Sequence, residues 1–83
     1  MAVDPSGQTI PSSYFYERGY VAGSNAASNA QSKTFVEEAI ASMSEFQDPR
    51  YQATAADKTS FRQGFTAGYD KIYKAKTTDY GSA

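Results

Sequence analysis

The chain has 83 residues, no cysteine, no histidine and a formal net charge of −1 at pH 7. It is therefore one small domain without disulfides, and it lacks the usual ligands of structural zinc and of haem. A net charge near zero also gives no strong attraction to nucleic acid or anionic lipid. Because so short a chain buries little apolar surface, we expect it to complete its core by forming a homo-oligomer.

The amino-terminal segment, residues 1–12, holds two prolines and a glycine and predicts an extended arm. It lacks the basic and apolar regions of a secretory signal, and no later run approaches the roughly 18 apolar residues of a membrane span. We therefore expect no membrane association, and a cytoplasmic protein or, if it is a phage component, one located in the virion. A single helical domain is predicted over residues 13–76, followed by a tail over 77–83 that contains Tyr80.

The first helix is predicted over residues 14–31, with Ser12 or Ser13 as its N-cap. Its most informative part is an eight-residue pattern, Tyr-Glu-Arg-Gly-Tyr-Val-Ala-Gly at residues 16–23, which recurs as Phe-Arg-Gln-Gly-Phe-Thr-Ala-Gly at residues 61–68. Glycine within a helix costs about 1 kcal/mol relative to alanine, so two glycines four residues apart indicate close backbone approach. On the first helix, one face combines aromatic and small side chains: Tyr16, Tyr20, Gly23, Ala27 and Ala30, with Gly19 at its edge.

A second helical segment is predicted over residues 35–46, because Thr34 and Glu37 have the spacing of a capping box. Its apolar face consists of Phe35, Ala39, Met43 and Phe46, flanked by Val36 and Ile40. In one continuous helix this face would lie roughly 160° around from the face of the first segment. We favour a break near residues 31–33, with one helix serving different partners at its two ends as the alternative.

The last helix is predicted over residues 55–75. Asp48-Pro49 ends the preceding segment, Thr54 can act as the N-cap, and Asp57 in the first turn suits the helix dipole. One face of this helix is apolar or small and comprises Phe61, Phe65, Gly68 and Ile72, with Gly64, Tyr69 and Ala75 beside it. The sequence thus predicts an all-α fold, a small helical hairpin of three segments.

Charge is divided unevenly along the chain. Residues 1–48 carry two positive and six negative side chains, and residues 49–83 carry six positive and three negative ones. The two halves, at −4 and +3, would attract each other when laid antiparallel, within a chain or between chains. We therefore expect the helices to be antiparallel.

The repeated pattern carries the functional prediction. We expect a non-enzymatic structural or interaction protein, a small assembly subunit of a phage or other particle, because the chain has neither histidine nor cysteine for catalysis. The predicted interface comprises Tyr16, Gly19, Tyr20, Gly23, Phe61, Gly64, Phe65, Gly68 and Ile72. The alternative is that the two patterns only pack against each other within one chain. We expect leucine at Gly23 or Gly68 to be disruptive and alanine there to be far milder.

A different function remains open: a small inhibitor or regulator that binds a host protein or an anionic small ligand. The last helix offers Arg62, Lys71 and Lys74 for such a ligand, although a basic final turn is common in helices. Nucleic-acid binding is the weakest of the interpretations, and no cofactor and no metal are predicted.

Overall fold

The computed structural model describes the backbone of residues 1–81 and the side chains of residues 1–75. Most of this part of the chain is helical, so the all-α prediction is confirmed. The elements are β1 (Ala2–Val3), β2 (Thr9–Ile10), α1 (Ser12–Ser28), α2 (Val36–Ser42), α3 (Ser44–Gln47) and α4 (Ala55–Gly81), with 3-10 turns at Lys33–Phe35 and Pro49–Tyr51.

The amino-terminal segment is a small β-hairpin rather than a single extended arm. β1 and β2 pair antiparallel, with Ala2 opposite Ile10. The Asp4 carboxylate closes the turn by accepting hydrogen bonds from the backbone amides of Ser6 and Gln8, both at 2.9 Å. Ala2 is only 1% exposed and belongs to the hydrophobic core. The chain's own core therefore holds this segment in place.

The first helix begins and ends earlier than predicted. Its N-cap residue is Pro11, and the predicted N-cap, Ser12, instead donates its hydroxyl to Asp57 at 3.0 Å. α1 ends at Ser28, and Ala30 takes a left-handed conformation with φ of 57° that turns the chain. The predicted break between the first two segments is confirmed, although it falls a few residues before the predicted position.

The connector, residues 29–54, contains two short helices in place of the predicted single helix over 35–46. α2 ends at Ser42 because Met43 is extended, with φ of −86° and ψ of 122°, and α3 then begins at Ser44. The predicted apolar face nevertheless points inward: Ile40 and Met43 belong to the buried core, and Phe35, Val36, Ala39 and Phe46 are partly buried against it. The helical part ends before Asp48-Pro49, as predicted.

The predicted capping box at the start of this segment is wrong. Ser32, not Thr34, caps the turn, because the Ser32 hydroxyl accepts the backbone N–H of Thr34 at 3.3 Å. The Glu37 side chain does not reach back to the backbone; it binds the Arg62 guanidinium on α4 through both carboxylate oxygens. The Glu37 side chain thus makes a contact between helices in place of the predicted local cap.

The two long helices pair with each other within the chain, which the sequence left open, and they are parallel rather than antiparallel as predicted. Gly19 faces the backbone of Phe61, and Gly23, one turn later, faces that of Phe65, so residue numbers increase together along both helices. The connector makes this direction possible because it runs from the end of α1 back to the level of the start of α1, where α4 begins. The connector itself is antiparallel to α4, and the Glu37–Arg62 ion pair joins the acidic and basic halves there.

The start of α4 is a capping box, which confirms the prediction for this helix. The Thr54 hydroxyl accepts the Asp57 amide at 3.3 Å, and the Asp57 carboxylate accepts the Thr54 amide at 3.0 Å. α4 continues to Gly81 instead of ending near residue 75, so much of the predicted tail is helical. The side chain of Tyr80 lies outside the described residues.

The core lies between α1, α4 and the connector. Its centre is a series of phenylalanine rings from all three elements: Phe15 stacks on Phe46 at 5.0 Å between centroids, and Phe46 contacts Phe61 edge to face at 5.8 Å. Phe15, Phe61 and Phe65 are at most 1% exposed. Burial of three complete phenylalanine side chains contributes several kcal/mol, at about 1.5–3 kcal/mol each.

Candidate functional site

The two repeated patterns meet each other within the chain. We call Gly19, Gly23, Gly64 and Gly68 the glycine seam, because all four are buried where α1 and α4 cross. The two helices contribute two glycines each, and each glycine faces the backbone of the other helix. The seam is therefore covered by the chain itself, which corresponds to the alternative that the patterns pack against each other.

The seam leaves no room for a methyl group. A Cβ atom on Gly19 would lie 2.9 Å from the carbonyl carbon of Phe61 and 2.9 Å from the amide nitrogen of Phe65, with the Phe61 carbonyl oxygen closer still. A Cβ atom on Gly64 would lie 2.8 Å from the carbonyl carbon of Tyr16, on the opposite helix. Backbone carbonyl groups thus occupy the space of the missing side chains, an arrangement typical of Cα–H···O contacts between helices.

The aromatic residues of the predicted interface divide between core and surface. Phe61 and Phe65 are each 1% exposed and belong to the core. Tyr16 is 40% exposed, whereas Tyr20 and Ile72 are half-buried. The nine predicted residues therefore do not form one exposed patch, and Tyr16 and Tyr20 are the ones from α1 that reach the surface.

Two lysines of α4 accompany these tyrosines. The Lys71 ammonium lies 5.9 Å from the centroid of the Tyr20 ring, within the range of a cation–π contact. Lys74 is exposed one turn further on, and residues three apart share a helix face. We call Tyr16, Tyr20, Lys71 and Lys74 the outer face of the helix pair.

Arg62 does not join the two lysines, so the three predicted anion-binding residues are not brought together. Arg62 is nine residues before Lys71, which at 3.6 residues per turn places the two on opposite sides of α4. Its guanidinium binds Glu37 of the connector, with Nη2 to Oε2 at 3.2 Å. This hydrogen bonding lowers the pKa of the Glu37 carboxyl below its usual value.

A buried carboxylate organises the end of the molecule where α1 and α4 begin. Asp57 is 0% exposed, and its Oδ1 accepts the terminal ammonium group of Met1 at 2.6 Å and the Ser12 hydroxyl at 3.0 Å. Its Oδ2 accepts the amide and the hydroxyl of Thr54. Burial by itself raises the pKa of the Asp57 carboxyl, but these hydrogen bonds outweigh burial and lower it. Asp57 thus connects the hairpin, α1 and α4.

A second polar cluster joins α1 to α3. The Tyr14 hydroxyl donates to Glu45 Oε2 at 2.6 Å, and Arg18 Nη1 contacts the same oxygen at 3.0 Å. Burial, followed by the hydrogen bond to Glu45, raises the pKa of the Tyr14 phenol. Burial opposes ionisation of Glu45, but the bonds from Tyr14 and Arg18 keep the pKa of that carboxyl below its usual value. The cluster ties the connector to α1.

Surface hollows lie beside the connector, among them the following two. The first, of about 360 Å³, is a groove between the start of the connector and α4. Its lining is Lys33, Thr34, Val36, Glu37, Arg62, Phe65 and Thr66. The second, of about 390 Å³, lies between the β-hairpin and α3 and is lined in part by Asp4, Tyr14, Glu45 and Tyr51. Among the described residues, acidic side chains, the remaining type of metal ligand in this chain, do not gather in groups of three or more.

Reasoning from the sequence missed the groove and one partner of Asp57. The groove depends on how the connector crosses α4, which helical periodicity alone does not indicate. The Met1 ammonium joins Asp57 across 56 positions of the sequence, and no local pattern predicts such a contact. Asp57, predicted to help cap α4 and to suit its dipole, also connects the β-hairpin and α1 to that helix.

Comparison of the chain with protein-family models, curated proteins and solved structures finds no match. Within the described residues, every helix is too short or too polar to cross a lipid bilayer.

Proposed function

We propose that the protein is a non-enzymatic structural or interaction protein, a small helical assembly subunit that binds a second copy of itself or a larger assembly. The observation that carries this proposal is the outer face. Tyr16 is 40% exposed beside Tyr20 and two lysines, where the surfaces of α1 and α4 adjoin. Exposed tyrosines on a rigid helix are typical anchors of protein interfaces, because they offer large contact area at little cost in conformational entropy.

The glycine seam supports this role indirectly. Because α1 and α4 approach closely at the seam, Tyr20 of one helix and Lys71 of the other become neighbours. Side chains from both halves of the chain thus form one continuous surface. In this proposal the glycines shape the binding face, and the tyrosines make the contacts. Location in a phage or other particle stays a prediction from the sequence.

Light scattering after size-exclusion chromatography tests this proposal with the complete chain. We expect a mass above that of the monomer at micromolar concentration, and a monomer for the double variant Tyr16→Ser with Tyr20→Ser. Val21→Ser is the matched control, because Val21 is 58% exposed on α1 but turned away from Tyr20 by one residue, about 100°. A chain that stays monomeric at every micromolar concentration would refute self-assembly.

The regulator that binds an anionic small ligand remains the second candidate. The observation that favours it is the groove, where an apolar floor lies beside the guanidinium of Arg62. Lys71 and Lys74 belong to the outer face and do not contribute to this groove, so only one of the three predicted cations serves this candidate.

A further inference from the structure

We propose that the groove between the connector and α4 binds a small amphiphilic carboxylate, with its apolar tail along Val36, between Thr34 and Thr66, and its carboxylate on Arg62. This site is separate from the outer face and does not depend on self-assembly. The cavity volume of about 360 Å³ lies within the range of small-molecule sites, about 300–1,000 Å³.

The floor of the groove is apolar and preformed. Phe65 is 1% exposed and fixed on both sides by other rings, with centroid distances of 6.5 Å to Phe61 and 6.2 Å to Tyr69. Val36 is half-buried at the first position of α2. Phe65 is too buried to contact a ligand, so a flexible alkyl or aryl tail would lie along Val36 above this rigid layer and leave water there, with no change in the backbone.

The rim of the groove already binds carboxylates. Arg62 holds the two oxygens of Glu37 in a bidentate pair, and Lys33 contacts the Asp70 carboxylate at 2.7 Å. A planar guanidinium suits a carboxylate better than any other side chain does. Arg62 lies at the edge of the apolar lining, so its guanidinium could bind the head group of an amphiphilic anion while the lining contacts the tail.

Glu37 does not prevent access to the guanidinium. Its side chain is 62% exposed, so its pair with Arg62 is a surface ion pair, and such pairs contribute little to stability. A ligand with both a carboxylate and an apolar tail would also bury apolar surface in the groove, which the Glu37 side chain does not do. Displaced into solvent, Glu37 would remain near Lys58, whose charge also acts on its carboxyl. The exchange therefore leaves every charge solvated or paired.

Nuclear magnetic resonance titration of the ¹⁵N-labelled chain with octanoate tests the inference, and 1-octanol serves as the uncharged control ligand. We expect chemical-shift changes centred on Val36, Arg62 and Thr66, with octanol binding more weakly than octanoate. The variant Arg62→Gln should reduce octanoate affinity by about tenfold, the worth of one charge-assisted hydrogen bond, and leave octanol affinity unchanged. Lys74→Gln, on the other side of α4, should alter neither affinity.

Arg62 is a surface residue, so Arg62→Gln should fold, and its melting curve verifies this. Val36→Trp, which fills the groove, should weaken both ligands and provides a second variant. The inference is refuted if millimolar octanoate shifts no groove resonance, if the shifts centre on the outer face or on a dimer contact, or if Arg62→Gln binds octanoate as tightly as the wild type.

Discussion

Alanine in the glycine seam should destabilise the protein, although alanine is the better helix former. In an isolated helix, Gly→Ala is worth about 1 kcal/mol of stabilisation. At Gly19 the new Cβ would meet the backbone of Phe61 and Phe65 at 2.9 Å or less, against the 3.4–4 Å of an ordinary contact. The clashing atoms are backbone, so no side-chain rotation can relieve the overlap. The expectation from the sequence, that alanine at Gly23 or Gly68 would be far milder than leucine, did not include such overlap, which a Cβ atom on Gly23 would also meet at the Phe65 backbone.

The magnitude follows from the separation that the methyl group requires. Restoring an ordinary contact moves the helices apart by roughly 1 Å, and a gap of 0.5–1 Å forfeits about a quarter to a half of the dispersion energy at the interface. Overpacking of this kind costs about 1–3 kcal/mol beyond the gain in propensity. We expect Gly19→Ala or Gly64→Ala to lower the free energy of unfolding by about 2 kcal/mol, and Tm by roughly 8–16 °C in a domain of this size.

The double variant sharpens the test. Gly19 and Gly64 lie at the same crossing, since Gly64 faces Tyr16 and Tyr20, which flank Gly19 along α1. Once one methyl group has separated the helices, the second finds space. The double variant should therefore lose less free energy of unfolding than the sum of the two single losses. Additive losses would contradict a shared displacement of the helices.

Urea unfolding followed by circular dichroism measures these free energies. The exposed residues Glu17 of α1 and Gln63 of α4 supply the controls, and alanine at either should change stability by less than about 0.5 kcal/mol. A melting temperature of Gly19→Ala and Gly64→Ala at or above that of the wild type would contradict the clash, because helix propensity would then determine the sign of the change in stability.

Two further predictions concern the polar clusters. Asp57→Asn should cost about 1–3 kcal/mol at neutral pH, since it removes charge-assisted hydrogen bonds from the terminal ammonium and from Thr54. Because the folded-state pKa of Asp57 is lowered, its contribution is complete above the unfolded value of about 3.9 and is lost as pH falls through the folded value. The stability difference between wild type and variant, from urea unfolding at several pH values, should therefore shrink in acid, and a constant difference would contradict the buried ion pair. The pKa of the Tyr14 phenol should lie above its ordinary value of about 10, because the phenol is partly buried and donates to Glu45. The ultraviolet titration of wild type minus Tyr14→Phe isolates this ionisation, and ionisation at or below about pH 10 would contradict that environment.

The sequence predicts the helices of this fold better than it predicts their arrangement. The glycine spacing indicated close approach and the seam confirms it, because four helical glycines need a compensating contact. The capping box of Thr54 and Asp57 was also recognisable, since both of its bonds are local. The direction of the pair was not predictable from helical faces, because a parallel and an antiparallel pair can bury the same residues.

Other features could not be predicted because long-range contacts override local patterns. Thr34 and Glu37 have the spacing of a capping box, yet Glu37 is drawn to Arg62, 25 residues away. Ser12 has the chemistry of an N-cap, but it serves Asp57, 45 residues away. The outer face and the groove likewise arise only when distant segments meet, and one helical pattern cannot encode them.

The parallel direction of α1 and α4 also bears on how the chain folds. Gly19 and Gly64 are 45 positions apart, so the backbone contacts of the seam belong to the non-local class that slows folding. In an antiparallel pair joined by a short turn, contacts between the helices could form one after another, starting at the turn. In this parallel pair the connector must first return along α1 before α4 can pack against it. Most of the stability of a helix in a protein comes from tertiary packing rather than from helix propensity. Formation of α1 is therefore coupled to a partner helix that leaves the ribosome only after the whole connector has been synthesised.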